Sequence, residues 1–389
     1  MDKQYIALSS TASLRLNSIY TQRGFTLIEF MVAAILGLIV LLAIGGAYVT
    51  TQKVNEVASS RVTRQQELRM ANNLLIRDAR MAGSFGCANL SALSGGAGVS
   101  IDQETPLMTI VDASYFNINE VAGADRVYSA RILSGTDAEA MSNAITSSGF
   151  VLSSDLVVFN YGINTQPLLT VGTAAGGNAI SSFTLSDVTS FSNGSENARV
   201  VLASCNRIDI LKQSQFSVSG SKVDISGVVI PMNKTGENAI SLPGTTVEHF
   251  SVQATLSNLQ TVAYAVGNIK NDTGASSLYR FELLNDGSWS APQLLARNIH
   301  SMVARFIYVT GCANAASDAG VEKFKLGTDA FITEGTVAVP PTGIELTLTP
   351  SHTNLDSNFD ALDESTNAND LKPIVLNATM RGANVCANR

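Results

Sequence analysis

The chain is poor in the residues that usually carry out catalysis or bind metals. It has three histidines, four cysteines and one tryptophan among 389 residues. The histidines, His249, His300 and His352, are isolated, and no HExxH pattern or cysteine pair at zinc-ligand spacing occurs. The sequence also lacks a GxSxG elbow and a P-loop. We therefore expect no catalytic residues, no cofactor and no small-molecule substrate.

Charged residues are also scarce. They make up 15% of the chain, with a formal net charge of -7. Because nucleic acids attract basic surfaces, this balance argues against nucleic-acid binding by bulk electrostatics. The acidic residues near the C-terminus lack the alternate ligands and central glycine of an EF-hand loop, so we predict a solvated loop and no metal site there: Asp356, Asp360, Asp363, Glu364 and Asp370.

Proline is absent from Phe25 to Ala82, and charge is absent from Phe30 to Val49. At about 1.5 Å per residue, the uncharged run is long enough for the roughly 30 Å hydrocarbon layer of a membrane. From Thr50 onward, apolar residues recur at three- and four-residue steps with arginines between them. The pattern predicts one helix with a transmembrane half, residues 25–49, and an amphipathic half, residues 50–82, that packs on a head domain.

A short basic leader, residues 1–24, precedes this helix, and the junction reads RGFTLIEF from Arg23 to Phe30. A secretory signal has a shorter apolar core, and its cleavage site follows that core. Here the candidate cleavage site precedes the apolar core. This arrangement resembles the cleavage motif of type IV prepilins and of type II secretion pseudopilins. The resemblance implies that prepilin peptidase cuts between Gly24 and Phe25 and that the new N-terminal Phe25 is methylated. An uncleaved signal anchor is the alternative.

Glu29 is the candidate assembly residue. A carboxylate in hydrocarbon is costly and normally has a partner. The amine that cleavage would create at Phe25 lies four residues earlier, on the same helical face. Glu29 could pair with that amine within the chain. The resemblance implies a second arrangement, in which Glu29 pairs with the N-terminal amine of a neighbouring subunit in the membrane.

Three further segments restrict the resemblance to one branch of these pilins. RDARMAGSFGC, from Arg77 to Cys87, and SLYRFELLNDGSW, from Ser277 to Trp289, resemble segments of PilW-type minor pilins, as does SDLVVFNYG within residues 154–162. The resemblance implies a minor pilin that helps to initiate type IV pilus assembly together with other minor pilins and the major pilin. Such a protein is anchored in the inner membrane with its head in the periplasm, and it later belongs to the pilus at the cell surface, where it supports twitching motility, attachment or DNA uptake.

The four cysteines, Cys87, Cys205, Cys312 and Cys386, are widely separated. In an oxidising compartment an even number of cysteines indicates two disulfides, although the sequence alone permits three pairings. We favour Cys87–Cys205 and Cys312–Cys386, and buried free thiols are the alternative.

The remainder, residues 83–389, reads as one predominantly β head, so the predicted fold class is α+β with a mainly antiparallel sheet. Tyr279 to Leu283 and Ile344 to Thr349 alternate between apolar and polar residues, as half-buried strands do. We predict further strands at residues 200–202, 247–256, 261–266 and 374–380, and loops at residues 91–100, 172–182 and 351–370.

Two other functions fit the same N-terminus. One is a minor pseudopilin of type II secretion. The other is a membrane-anchored periplasmic adhesin or enzyme that uses a pilin-like export signal. Finding a catalytic constellation would favour the enzyme.

Overall fold

A computed structural model gives the structure of the chain. It describes residues 26–86, 88–89, 99–100, 126–127, 129–134, 150–175, 179–191, 199–204, 207–227, 230–231, 233–234, 248–249, 254–269, 275–284, 289–310, 323–329, 332–334, 337–339, 341–350 and 373–380. The chain divides into two compact units, residues 1–60 and 61–389. The architecture is α+β, as predicted, with one long helix and mainly antiparallel sheets.

The helix α1 runs without interruption from Leu27 to Met81. Thr26 caps its start, because the Thr26 hydroxyl accepts a hydrogen bond from the Glu29 amide at 3.4 Å while the Thr26 carbonyl accepts one from the Phe30 amide at 3.2 Å. Gly83, with a φ of 75°, ends it, in agreement with the sequence prediction. Gly45 and Gly46 lie inside the unbroken helix, and a Cβ built on either would meet no described atom within 4 Å other than the neighbouring backbone of the helix.

The rest of the described chain consists mainly of strands, which differ widely in length. In chain order they are β1 (Ser84–Phe85), β2 (Ala88–Asn89), β3 (Val99–Ser100), β4 (Arg126–Val127), β5 (Ala130–Leu133), β6 (Phe150–Thr173), β7 (Ala179–Leu185), β8 (Arg199–Ser204), β9 (Arg207–Lys212), β10 (Phe216–Ser219), β11 (Lys222–Ile225), β12 (Ile230–Pro231), β13 (Asn233–Lys234), β14 (Glu248–His249), β15 (Thr255–Ile269), β16 (Ser277–Glu282), β17 (Gln293–Ala296), β18 (Ile299–Thr310), β19 (Lys323–Gly327), β20 (Ile332–Glu334), β21 (Val337–Val339), β22 (Gly343–Pro350) and β23 (Ile374–Thr379). A 3-10 turn, Gln213–Gln215, precedes β10.

The long strands β6 and β15 form the centre of the larger sheet. They pair antiparallel from Phe150 opposite Ile269 to Pro167 opposite Thr255. The hydrogen-bonded order is β10-β11-β7-β6-β15-β16-β17, with β5 also beside β6, β12 beside β7, and β8 between β15 and β9. A smaller sheet has the order β19-β18-β22-β23.

Both faces of the larger sheet are covered at its centre. Along β6, Val157 and Phe159 belong to the core that contains the end of α1, whereas Leu156 and Val158 belong to a separate core with Trp289. A strand that is buried on both faces shows a continuous apolar run rather than alternation. The smaller sheet supplies one face to the helix-containing core, through alternate residues of β18 and β22: Met302, Ala304, Phe306, Tyr308, Ile344, Leu346 and Leu348.

Most of the predicted strands are confirmed, but several boundaries are wrong. Ala254 belongs to no strand, although we predicted one strand over residues 247–256, and Val99–Ser100, predicted as the end of a loop, form β3. Residues 255–269 form one strand, whereas we predicted a break between Leu256 and Thr261. A register shift between Leu256 and Asn258 disturbs the alternation there without ending the strand. Residues 172–182, predicted as a loop, contain the end of β6 and the start of β7, which pair with each other as a hairpin.

Candidate assembly segment and helix–sheet junction

The first half of α1 is exposed along its whole length. The side chains from Thr26 to Glu56 have no buried position in the described chain. The helix is the one described element that is long and apolar enough, by length and composition, to cross a membrane. Apolar side chains that would destabilise a water-exposed helix are stable in hydrocarbon, so the exposure fits a membrane anchor.

Glu29 lies in the first turn of this exposed segment. Its backbone amide donates to the Thr26 carbonyl at 3.0 Å, and its carboxylate lies near the helix N-terminus, where negative charge is favourable. No side chain of the described residues forms an ion pair with it. Gly24 and Phe25, the predicted processing residues, lie outside the described residues, so the predicted pair between Glu29 and the Phe25 amine stays a prediction.

The second half of α1 is different, because its last turns are buried in the head. Ala71, Leu75, Asp78 and Ala79 are buried against the sheets. We predicted that the helix packs on the head from residue 50 onward. The burial begins later, since the Val62 side chain is still 53% exposed. Small residues, Ala71 and Ala79, and large ones, such as Leu75, contribute to this contact.

Asp78 is completely buried at this junction, and both of its carboxylate oxygens accept hydrogen bonds. Oδ2 accepts from Arg280 Nε at 2.7 Å and from the Tyr264 hydroxyl at 2.7 Å. Oδ1 accepts from the Tyr161 hydroxyl at 3.1 Å and from Arg77 Nε at 3.1 Å. Tyr161, Tyr264 and Arg280 lie on β6, β15 and β16, which are consecutive in the sheet. One carboxylate therefore joins the helix to three strands.

The junction shifts the pKa values of the side chains that donate to Asp78. Burial lowers the pKa of Arg280, but its hydrogen bonds to Asp78 and Glu282 and the charge of Asp78 outweigh burial and raise that pKa above its usual range. Burial, and then the negative charge of Asp78, raise the pKa values of the Tyr161 and Tyr264 hydroxyls well above the ordinary value. Both tyrosines thus stay neutral and act as hydrogen-bond donors.

The sequence analysis did not identify Asp78 as important. A signal was present, because Asp78 lies three residues after Leu75 and one before Ala79, on the buried stripe of the helix. A carboxylate on such a stripe needs buried partners. The partners themselves are 83, 186 and 202 residues away along the chain, so only the fold identifies them.

Most of the remaining predicted sites lie outside the described residues. All four cysteines and the acidic residues from Asp356 to Asp370 lie outside the described residues, so the disulfide pairing stays a prediction. Within the described ranges, no group of three or more His, Cys, Asp or Glu side chains could hold a metal ion. His300 is exposed on β18.

One comparison with known families identifies the N-terminal segment. The family model for the prokaryotic N-terminal methylation motif matches residues 20–45, which include the Gly24-Phe25 junction and Glu29. No curated protein and no solved structure matches the chain. The motif supports a type IV pilin-like prepilin, and together with the apolar helix it fits a membrane-anchored protein. The fold adds a long helix that ends in a large, mainly antiparallel β head.

Proposed function

We propose that this chain is a PilW-type minor pilin that helps to initiate assembly of type IV pili. The observation that carries the proposal is the Asp78 junction. The three segments that resemble PilW-type pilins, around Arg77, Tyr161 and Arg280, are far apart in the sequence. The side chains of Asp78, Tyr161 and Arg280 meet in one buried hydrogen-bond network. In this chain, the three resembling segments therefore contribute to one junction between the helix and the head, which supports the proposal.

The N-terminal segment would act in processing and assembly. Prepilin peptidase would remove residues 1–24 and methylate Phe25, and the helix would hold the subunit in the inner membrane. Glu29 would then pair with the N-terminal amine of a neighbouring pilin, because an exposed carboxylate in hydrocarbon is stabilised by an opposite charge. Other minor pilins and the major pilin are the proposed partners.

The size of the head favours a terminal position. Residues 83–389 form a head that is bulky for a tightly packed helical shaft, whereas bulk does not clash at a filament tip. We propose that the protein is needed in few copies, has no enzymatic activity and binds no cofactor. The pseudopilin alternative shares the N-terminal motif, and genetics must separate the two.

Processing gives the first test. The intact mass of the protein purified from membranes should correspond to a chain that begins with N-methylated Phe25. A chain that retains Met1 to Gly24 in cells with an active peptidase would contradict the proposal.

Deletion gives the second test, and it distinguishes a minor pilin from a type II secretion pseudopilin. Cells without the protein should carry fewer surface pili while they make normal amounts of major pilin. Blocking pilus retraction should restore some pili, because slow initiation is then no longer opposed by disassembly. Normal pili together with a loss of secreted folded exoenzymes would favour the pseudopilin.

A further inference from the structure

The outer face of the smaller sheet carries a concentration of exposed apolar side chains. Nine large apolar residues of the described head are exposed, and four of them lie on this one face: Val303, Phe324, Leu326 and Val375. The registers show that they share a face, because Phe324 lies opposite Val309, Leu326 opposite Ile307, and Val303 and Val375 flank Thr347. Phe324 and Leu326 are neighbours within this set, whereas Arg305 and Glu345 lie on the same face between them and Val303. Neighbouring exposed apolar side chains mark interaction surfaces, whereas scattered single residues do not.

The most exposed members lie on the edge strand. Phe324 is 70% exposed and Leu326 is 53% exposed, and both belong to β19. Within the described residues β19 pairs with β18 on one side and with no strand on the other. Among the described residues, the outer backbone amides and carbonyls of β19 thus have no paired strand, and such an edge is the template that an added strand uses.

The charge on β19 restricts what can be added. Lys325 lies opposite Tyr308, so its side chain leaves the face opposite to that of Phe324 and Leu326, and it is exposed. No carboxylate of the described residues forms an ion pair with it. In a second copy, antiparallel pairing centred on this strand would place Lys325 opposite Lys325, and like charges directly opposite are unfavourable.

We propose that β19 is a docking edge for an extended, acidic strand of a different chain. The added strand would hydrogen-bond to the open edge of β19. Its apolar side chains would cover Phe324 and Leu326, and its alternate carboxylates would lie beside Lys325. This inference does not depend on the role of the protein in pilus initiation.

The test uses the full chain in detergent and a labelled peptide that alternates glutamate with valine over about the length of β19. Fluorescence anisotropy should show saturable binding, and a peptide that alternates lysine with valine should bind more weakly. Lys325→Glu should weaken the glutamate peptide roughly fivefold and strengthen the lysine peptide, since cross-strand charge pairs contribute up to about 1 kcal/mol. Lys53→Glu, an equal charge change on α1, should leave both affinities unchanged.

Two further measurements distinguish the alternatives. Methylating alternate backbone nitrogens of the peptide should abolish binding, because strand addition needs those donors. Sedimentation of the full chain alone should show no dimer that the peptide dissociates. The proposal is overturned by absence of binding at the solubility limit of the peptide, by equal binding of the two peptides, by unimpaired binding of the methylated peptide, or by a dimer that competes with the peptide, which would assign the edge to a second copy.

Discussion

The two ends of α1 each carry an acidic residue in apolar surroundings, and the two residues have opposite environments. Glu29 is exposed in the first turn and has no ion-pair partner among the described side chains. Asp78 is fully buried near the last turn and accepts hydrogen bonds from four side chains of the same molecule. The same helix therefore has one carboxylate satisfied within the subunit and one that forms no ion pair among the described side chains.

This difference separates stability from assembly. Removing a buried, fully bonded charge leaves its partners unsatisfied, so the folded head loses stability. Removing an exposed carboxylate from an apolar segment leaves the head intact and changes only what the helix can bind. Substitution of Asp78 should thus lower the stability of the head, whereas substitution of Glu29 should impair assembly and leave that stability unchanged.

The largest effect on stability is expected from Asp78→Ala. The free energy of unfolding should fall by about 3 kcal/mol, because the buried Arg280 then keeps only the part-exposed Glu282 as a counter-ion and the Tyr161 and Tyr264 hydroxyls lose their acceptor. Trp289, buried in a core of the head, gives a fluorescence signal for denaturant unfolding of the full chain in detergent. Asp78→Asn, which keeps the shape and one acceptor oxygen, should fall between the alanine variant and the wild type.

Arg77→Ala is the matched control for this prediction. Its side chain also bonds to Asp78 but is 56% exposed, and exposed ion pairs contribute about 1 kcal/mol or less. Equal losses for Arg77→Ala and Asp78→Ala would show that burial does not set the strength of this junction.

The sequence predicts those parts of the fold that depend on local interactions. The helix is encoded by its own residues, through the absence of proline and the glycine at its end, and the alternation at β22 identifies a half-buried strand. The junction at Asp78 depends on partners from three distant strands, so no local pattern contains it. The continuous β15 also escaped prediction, because a bulge beside Asn258 imitates a strand end.

A smaller and pH-dependent effect is expected at Asp155. Burial raises the pKa of its carboxyl group, and a hydrogen bond from the Ala304 backbone offsets this only in part. Because the folded-state pKa lies above the ordinary value near 3.9, the ionised form destabilises the fold, and stability falls as pH rises through that window. Asp155→Asn should be more stable than wild type at neutral pH, by less than about 1 kcal/mol, and the gain should vanish in acid.

The pKa of Asp187 shifts in the opposite direction to that of Asp155. Hydrogen bonds from the amide and hydroxyl of Thr189 lower the pKa of this exposed carboxyl group. Its ionised form therefore stabilises the fold above the ordinary pKa, and that stabilisation is lost as pH falls through the lowered value. Unfolding titrations of Asp155→Asn and Asp187→Asn should show differences from wild type of opposite sign at neutral pH. Differences of the same sign would contradict both assignments.

The most direct test of the account is the number of surface pili in cells that carry Glu29→Ala. The variant should be cleaved, inserted and as stable as wild type in the Trp289 assay, because the Glu29 side chain is exposed. Glu56→Ala, an exposed acid on the same helix beyond the apolar run, should support normal piliation. We predict far fewer pili for Glu29→Ala at equal protein level. Pilus numbers equal to wild type would contradict the assignment of Glu29 to subunit assembly.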